Sequence, residues 1–102
     1  MTPRETIECH SCGSRIAPMV LVERAESYWA RLGLFVSSLP CCGTREEFQL
    51  RGDDLVRGYV YAAGQPHFCA VETYRVEGVR VEHGDPTRLV WDGGERLVAP
   101  LS

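Results

Sequence analysis

Cys9-His10-Ser11-Cys12-Gly13, followed further along the chain by Leu39-Pro40-Cys41-Cys42-Gly43, is the pair of segments on which the fold turns. Two thiols three residues apart on a tight turn can both reach one tetrahedral ion near 2.3 Å. A glycine directly after the second thiol lets the backbone bend sharply and aim its amides at the sulfurs. The first segment has all of these features. The second has a cysteine followed directly by a glycine. The expectation is that a cation held between these segments fixes the N-terminal half.

The rest of the composition is that of an ordinary small soluble domain. In 102 residues, 44% are hydrophobic and 25% charged, which fits one domain with one modest core. At that size a metal adds useful stability. No apolar run approaches the roughly 20 residues of a membrane helix, and Met1–Thr6 has no apolar leader pattern. This favours a reducing, cytoplasmic setting, where cysteines bind metal or do redox chemistry more often than they form disulfides. Five cysteines are also one too many for paired bridges. All 11 basic residues are Arg, and Asn is absent. A GC-rich bacterial genome explains that bias better than phosphate recognition does. A net charge of −3 disfavours nucleic acid and suits a protein partner that is itself basic.

Between the two cysteine segments, Leu21, Val22, Ala25, Tyr28, Trp29, Leu32, Phe35 and Val36 recur at three- and four-residue steps. That spacing predicts a helix over Glu23–Leu32, ended by Gly33, with Leu34–Leu39 extended. No capping residue stands at its start, and two strands are the competing reading. Phe48 and Leu50 alternate with polar residues and lead through Gly52-Asp53-Asp54 into a strand over Leu55–Ala62. Phe68–Val76, Val79–His83, Arg88–Trp91 and Arg96–Ala99 continue as strands, with turns at Glu77-Gly78 and Asp92-Gly93-Gly94-Glu95. The expected fold class is therefore α+β, mostly β. Residues 7–43 would be a metal-bearing unit with one helix, packed on an antiparallel β-meander over 44–102, all within one domain.

The two cysteine segments resemble the zinc-ribbon and zinc-knuckle proteins, whose motif Cys-Pro-X-Cys-Gly occurs twice. Pro40, Cys42 and Gly43 match the second copy, and Leu39 departs from it. The resemblance implies Zn2+ on Cys9, Cys12 and Cys42. For the fourth ligand the sequence offers Cys41, Cys69, His67 or His10, and Cys41 is favoured as already local. A site with three ligands and an open water position would instead be catalytic in type, with Glu46 or Glu47 as the nearest base. If the cysteines were simply buried thiols, no metal would be held.

No catalytic set is visible. Gly13 and Pro18 after the Cys9–Cys12 motif disfavour the helix that would activate a redox thiol. His10, His67 and His83 have no triad context, and Arg51-Gly52-Asp53 reads as a turn. The sequence therefore points to a small zinc-stabilised, non-catalytic protein that binds another protein, of the immunity or regulatory type. Two alternatives stand beside it: a thiol-redox or metal-dependent enzyme using Cys9 and Cys12, and a nucleic-acid-binding zinc ribbon. The oligomeric state is not specified.

Overall fold

A computed structural model describes residues 4–100. Two short strands, β1 (Ile7–Glu8) and β2 (Arg15–Ile16), pair antiparallel around the first cysteine turn. One helix follows, α1 (Pro18–Glu23), only six residues long. Proline at its first turn suits a helix start. Its end is tied down by Ser37, whose buried hydroxyl donates to the Leu21 carbonyl.

The helix expected over Glu23–Leu32 is not there. Residues Ala25–Trp29 form β3 and Leu34–Ser38 form β4, paired as a hairpin. The reason is a bulge between Ala25 and Ser27. A bulge inserts one residue and resets the side-chain alternation, so Ala25 and Tyr28, three apart, are both buried. A bulged strand thus imitates helical spacing. Gly33 does adopt positive φ, at 67°, but it turns a hairpin rather than ending a helix. With α1 the only helix among the described residues, the fold is mostly β, a curled sheet carrying one short helix, and not α+β with a packed helix.

β5 (Arg45–Arg51), β6 (Asp54–Tyr61) and β7 (His67–Arg75) extend the hairpin antiparallel from β4. On the other side, β10 (Gly94–Pro100) lies parallel to β3, followed by β9 (Thr87–Trp91) and β8 (Arg80–Glu82). The eight-stranded order is β7-β6-β5-β4-β3-β10-β9-β8. The expected meander breaks at Glu77-Gly78. Instead of a hairpin between neighbours, this connection joins the two outermost strands.

That connection forces the sheet to curl. Seven interstrand steps of about 4.8 Å would put the edges of a flat sheet about 34 Å apart. The chain from Arg75 to Arg80 can reach only about 17 Å. Closing the gap wraps the sheet around Phe35, Phe48, Leu55, Tyr74, Leu89 and Val98, all buried. Phe35 and Phe48 stack with ring centres 5.7 Å apart. Ile7, Cys9, Ile16, Leu21 and Val22 join the same core from β1–β2 and α1. The cysteine-bearing segment is therefore woven into the sheet. β4, which enters the second cysteine turn, is a central strand.

Gly58 shows how closely β6 and β7 approach. The ladder slips between Arg57 and Gly58, and Phe68 lies across the glycine. A Cβ at this position would sit 2.1 Å from the Cys69 carbonyl oxygen and 2.7 Å from the Phe68 ring. Gly58→Ala is expected to cost about 2–3 kcal/mol, the price of overpacking against backbone. Urea unfolding that returns a midpoint equal to wild type would contradict this.

Candidate metal centre

The two cysteine turns are built on the same plan. In the first, the Cys9 amide donates to the Ser14 carbonyl at 2.9 Å and the Gly13 amide to the Cys9 carbonyl at 2.8 Å. In the second, the Leu39 amide donates to the Thr44 carbonyl at 2.8 Å and the Gly43 amide to the Leu39 carbonyl at 2.7 Å. Gly13 and Gly43 both have φ of 75°, a conformation glycine adopts without strain. Cys12 Sγ stands 3.2 Å from Ser14 Oγ, and Cys42 Sγ 3.1 Å from Thr44 Oγ1. Cys9 and Leu39 hold equivalent places, and both are buried.

Leu39 therefore occupies the position of a first cysteine and spends it on the core. Cys41, two residues on, makes up the loss. The ligand atoms of Cys9, Cys41 and Cys42 lie within 4.8 Å of one another, with Cys9 Sγ 3.5 Å from Cys42 Sγ. Cys12 lies beside this group, close enough to Cys41 and Cys9 for their thiols to influence its own, but outside the mutual 4.8 Å set. Four sulfurs thus converge from two turns distant in sequence, and such a cluster can hold a metal ion. Soft thiolates in a group of four suit zinc or iron. Cys69 and His67, the other candidates for fourth ligand, sit on β7 and are not part of the group. His10 turns outward to Glu72, 3.8 Å away.

The thiols divide the cost of crowding unequally. The Ser14 hydroxyl and amide, then the neighbouring sulfurs, lower Cys12 to about 7. Cys42 is lowered in the same way, chiefly by Thr44. Desolvation, then hydrogen bonds from the other thiols, pushes Cys41 up to about 12. At neutral pH Cys41 keeps its proton, and a cation must displace it to bind. Metal affinity should accordingly rise with pH, by about tenfold per unit for each proton released. Titration with Zn2+ between pH 6 and 8 checks this, and an affinity that does not change with pH would contradict it.

A brace next to the cluster escaped the sequence reading. Arg57 on β6 is 3% exposed. Its Nε and Nη2 donate to the two Glu46 oxygens, each at 2.6 Å, and its Nη1 donates to the Glu8 carbonyl at 2.9 Å. Glu8 enters the first cysteine turn and Glu46 leaves the second, so one guanidinium ties the two turns together. The pairing with Glu46 raises the Arg57 pKa further. The only sequence signal was an arginine inside the apolar run Leu55–Val60.

The same architecture disperses acidic residues that lie close along the chain. Glu46 is held by Arg57, Glu47 accepts from the Val60 amide, and Asp53 faces the Gly78 amide at the opposite end of β5. They form no common acidic face. What stands out instead is neutral. Gly58–Val71 contains no Asp, Glu, Lys or Arg. Within it Tyr59, Tyr61 and Val71 are at least half exposed.

No protein-family model, curated protein or solved structure matches the chain significantly. No helix of the described residues is long and apolar enough to cross a membrane.

Proposed function

We propose that this chain is a zinc-stabilised, non-catalytic protein-binding module. Zn2+ sits on Cys9, Cys12, Cys41 and Cys42 as a structural ion. Four sulfurs complete a tetrahedral shell and leave no position for a reacting water. The binding surface is the tip of the β6–β7 hairpin, and the observation that carries the reading is the neutral, tyrosine-bearing character of that tip. Interface centres are depleted in charge and enriched in tyrosine, whereas a solvated hairpin in a chain with 25% charged residues would ordinarily carry several charges. The partner is accordingly selected by shape and apolar contact rather than by basic charge. Cytoplasmic residence agrees with a centre built from reduced thiols.

The test compares wild type with Tyr59→Glu/Tyr61→Glu as immobilised bait, both loaded with zinc. Loss of a specific bound protein in the variant supports the reading. Salt-sensitive binding to mixed RNA or DNA, with no protein partner, would replace it by the nucleic-acid alternative. One observation favours a second reading, thiol-redox chemistry at Cys9 and Cys12: the low pKa of the exposed Cys12. Rapid alkylation of Cys12 in the zinc-loaded protein at neutral pH would establish that reading, while protection by metal removes it.

A further inference from the structure

The β6–β7 hairpin outgrows its sheet. β5 pairs with β6 only as far as Glu47 opposite Gly58, so Tyr59–Tyr61 and their partners His67–Cys69 form a two-stranded ribbon beyond it. Tyr59 lies opposite Cys69 and Tyr61 opposite His67, which places these four side chains on one face. The Tyr61 and His67 rings meet at 5.3 Å. β7 is also an edge strand. Among the described residues its outer side is covered only near its C-terminal end, where Arg4 bridges to Tyr74.

We propose that a second copy of this chain docks on this ribbon, with β7 running antiparallel to its counterpart about a two-fold axis. The inference rests on the reading of the ribbon as a binding surface, and it names the partner. Charge is the first argument. A chain of net charge −3 repels itself, so self-contact is favoured where charge is missing. A two-fold axis through a neutral strand lays neutral residues on neutral residues. Arg31 brings a guanidinium to the hairpin turn, where it donates to Gln65 at 3.0 Å, but the edge His67–Val71 itself carries no Asp, Glu, Lys or Arg to pair with nucleic acid or a charged peptide.

The exposed main chain is the second argument. Open strand edges are normally guarded by charge, shortness or a bulge. The opposite edge, β8, has three residues and carries the Arg80–Glu82 pair. β7 is nine residues long, and its first five include no Asp, Glu, Lys or Arg. The other long neutral run, residues 32–44, needs no such partner, since it supplies buried β4 and the cysteine turn.

The bulge sets the strength. It falls just after Ala70, so a ladder between copies runs over about four residues, His67–Ala70. With Tyr59, Tyr61 and Val71 from each copy, this is an interface at the small end of the specific range. The dimer is therefore expected to be weak.

Sedimentation equilibrium on zinc-loaded protein, from about 10 µM to about 1 mM, tests this directly. The expected result is a reversible monomer–dimer equilibrium that Tyr59→Glu/Tyr61→Glu weakens at least tenfold, with zinc content and circular dichroism unchanged. A short bis-maleimide should join wild-type copies through Cys69, and Cys69→Ser should abolish the product. Wild type that stays monomeric at about 1 mM overturns the proposal, as does a dimer that the double variant leaves intact. A monomer whose ribbon variant still loses a different protein partner ends the self-pairing and leaves the binding reading standing. If the variant changes neither, both fall.

Discussion

Cys12→Ser is expected to lower the melting temperature by about 15 °C or more and to leave the chain without stoichiometric metal. In the proposed reading thiolates from two turns share one ion, so removing one ligand would open the clamp between β1–β2 and the β4–β5 hairpin. Because the site is absent from the unfolded chain, binding free energy is folding free energy. For a domain of this size each kcal/mol lost moves the melting point by about 4–8 °C. The check is a melt with and without a strong chelator. Chelator should bring wild type down to the variant's melting point and leave the variant unmoved. A variant that melts with wild type in metal-replete buffer would contradict a structural ion.

Arg57→Ala is expected to cost about 3–5 kcal/mol, the range for breaking a buried ion pair by removing one partner. The loss strands the Glu46 carboxylate and leaves the Glu8 carbonyl without its donor. Those two groups belong to opposite cysteine turns, so zinc affinity should fall as well. A second variant separates charge from packing. Arg57→Met with Glu46→Met removes both charges and keeps volume, and it should recover most of the stability. Urea midpoints at unchanged slope, together with zinc competition, measure both effects. An Arg57→Ala midpoint within experimental error of wild type would show that the brace is incidental.

The two cysteine turns were legible because their chemistry is local. Two thiols, a glycine and a following Ser or Thr define each turn within six residues. Cys41 could be favoured as a ligand for the same reason. Several hairpins were legible too, since alternation around Gly52-Asp53-Asp54 and Asp92-Gly93-Gly94-Glu95 is a short-range signal. The features that were misread are non-local. Ala25 and Tyr28 have helical spacing, and only the pairing of β3 with β4 and β10 shows that a bulge produces it. Glu77-Gly78 looks like any tight turn, and nothing nearby reveals that it joins the two edges of a curled sheet. Arg57 is an unremarkable strand arginine until Glu8 and Glu46 are brought beside it. Glu46, Glu47 and Asp53 lie close along the chain, and sequence does not give the separate partners that each carboxylate finds.

The neutral stretch Gly58–Val71 is the opposite case. Its composition is visible in sequence, but composition alone suggests burial. Only the length of β6 beyond β5 shows that Tyr59 and Tyr61 are displayed. In the proposed reading the cysteine cluster and the ribbon divide the work: an ion on the four sulfurs, with Arg57, would hold the N-terminal turns against the sheet, and the sheet would present the hairpin end to a partner.

X-ray absorption at the zinc edge, combined with metal quantitation on protein purified without added chelator, tests the central claim most directly. The account predicts one zinc per chain with four sulfur neighbours at about 2.3 Å and no oxygen or nitrogen. Protein that folds fully with no bound metal, or a shell containing water or histidine nitrogen, would contradict it.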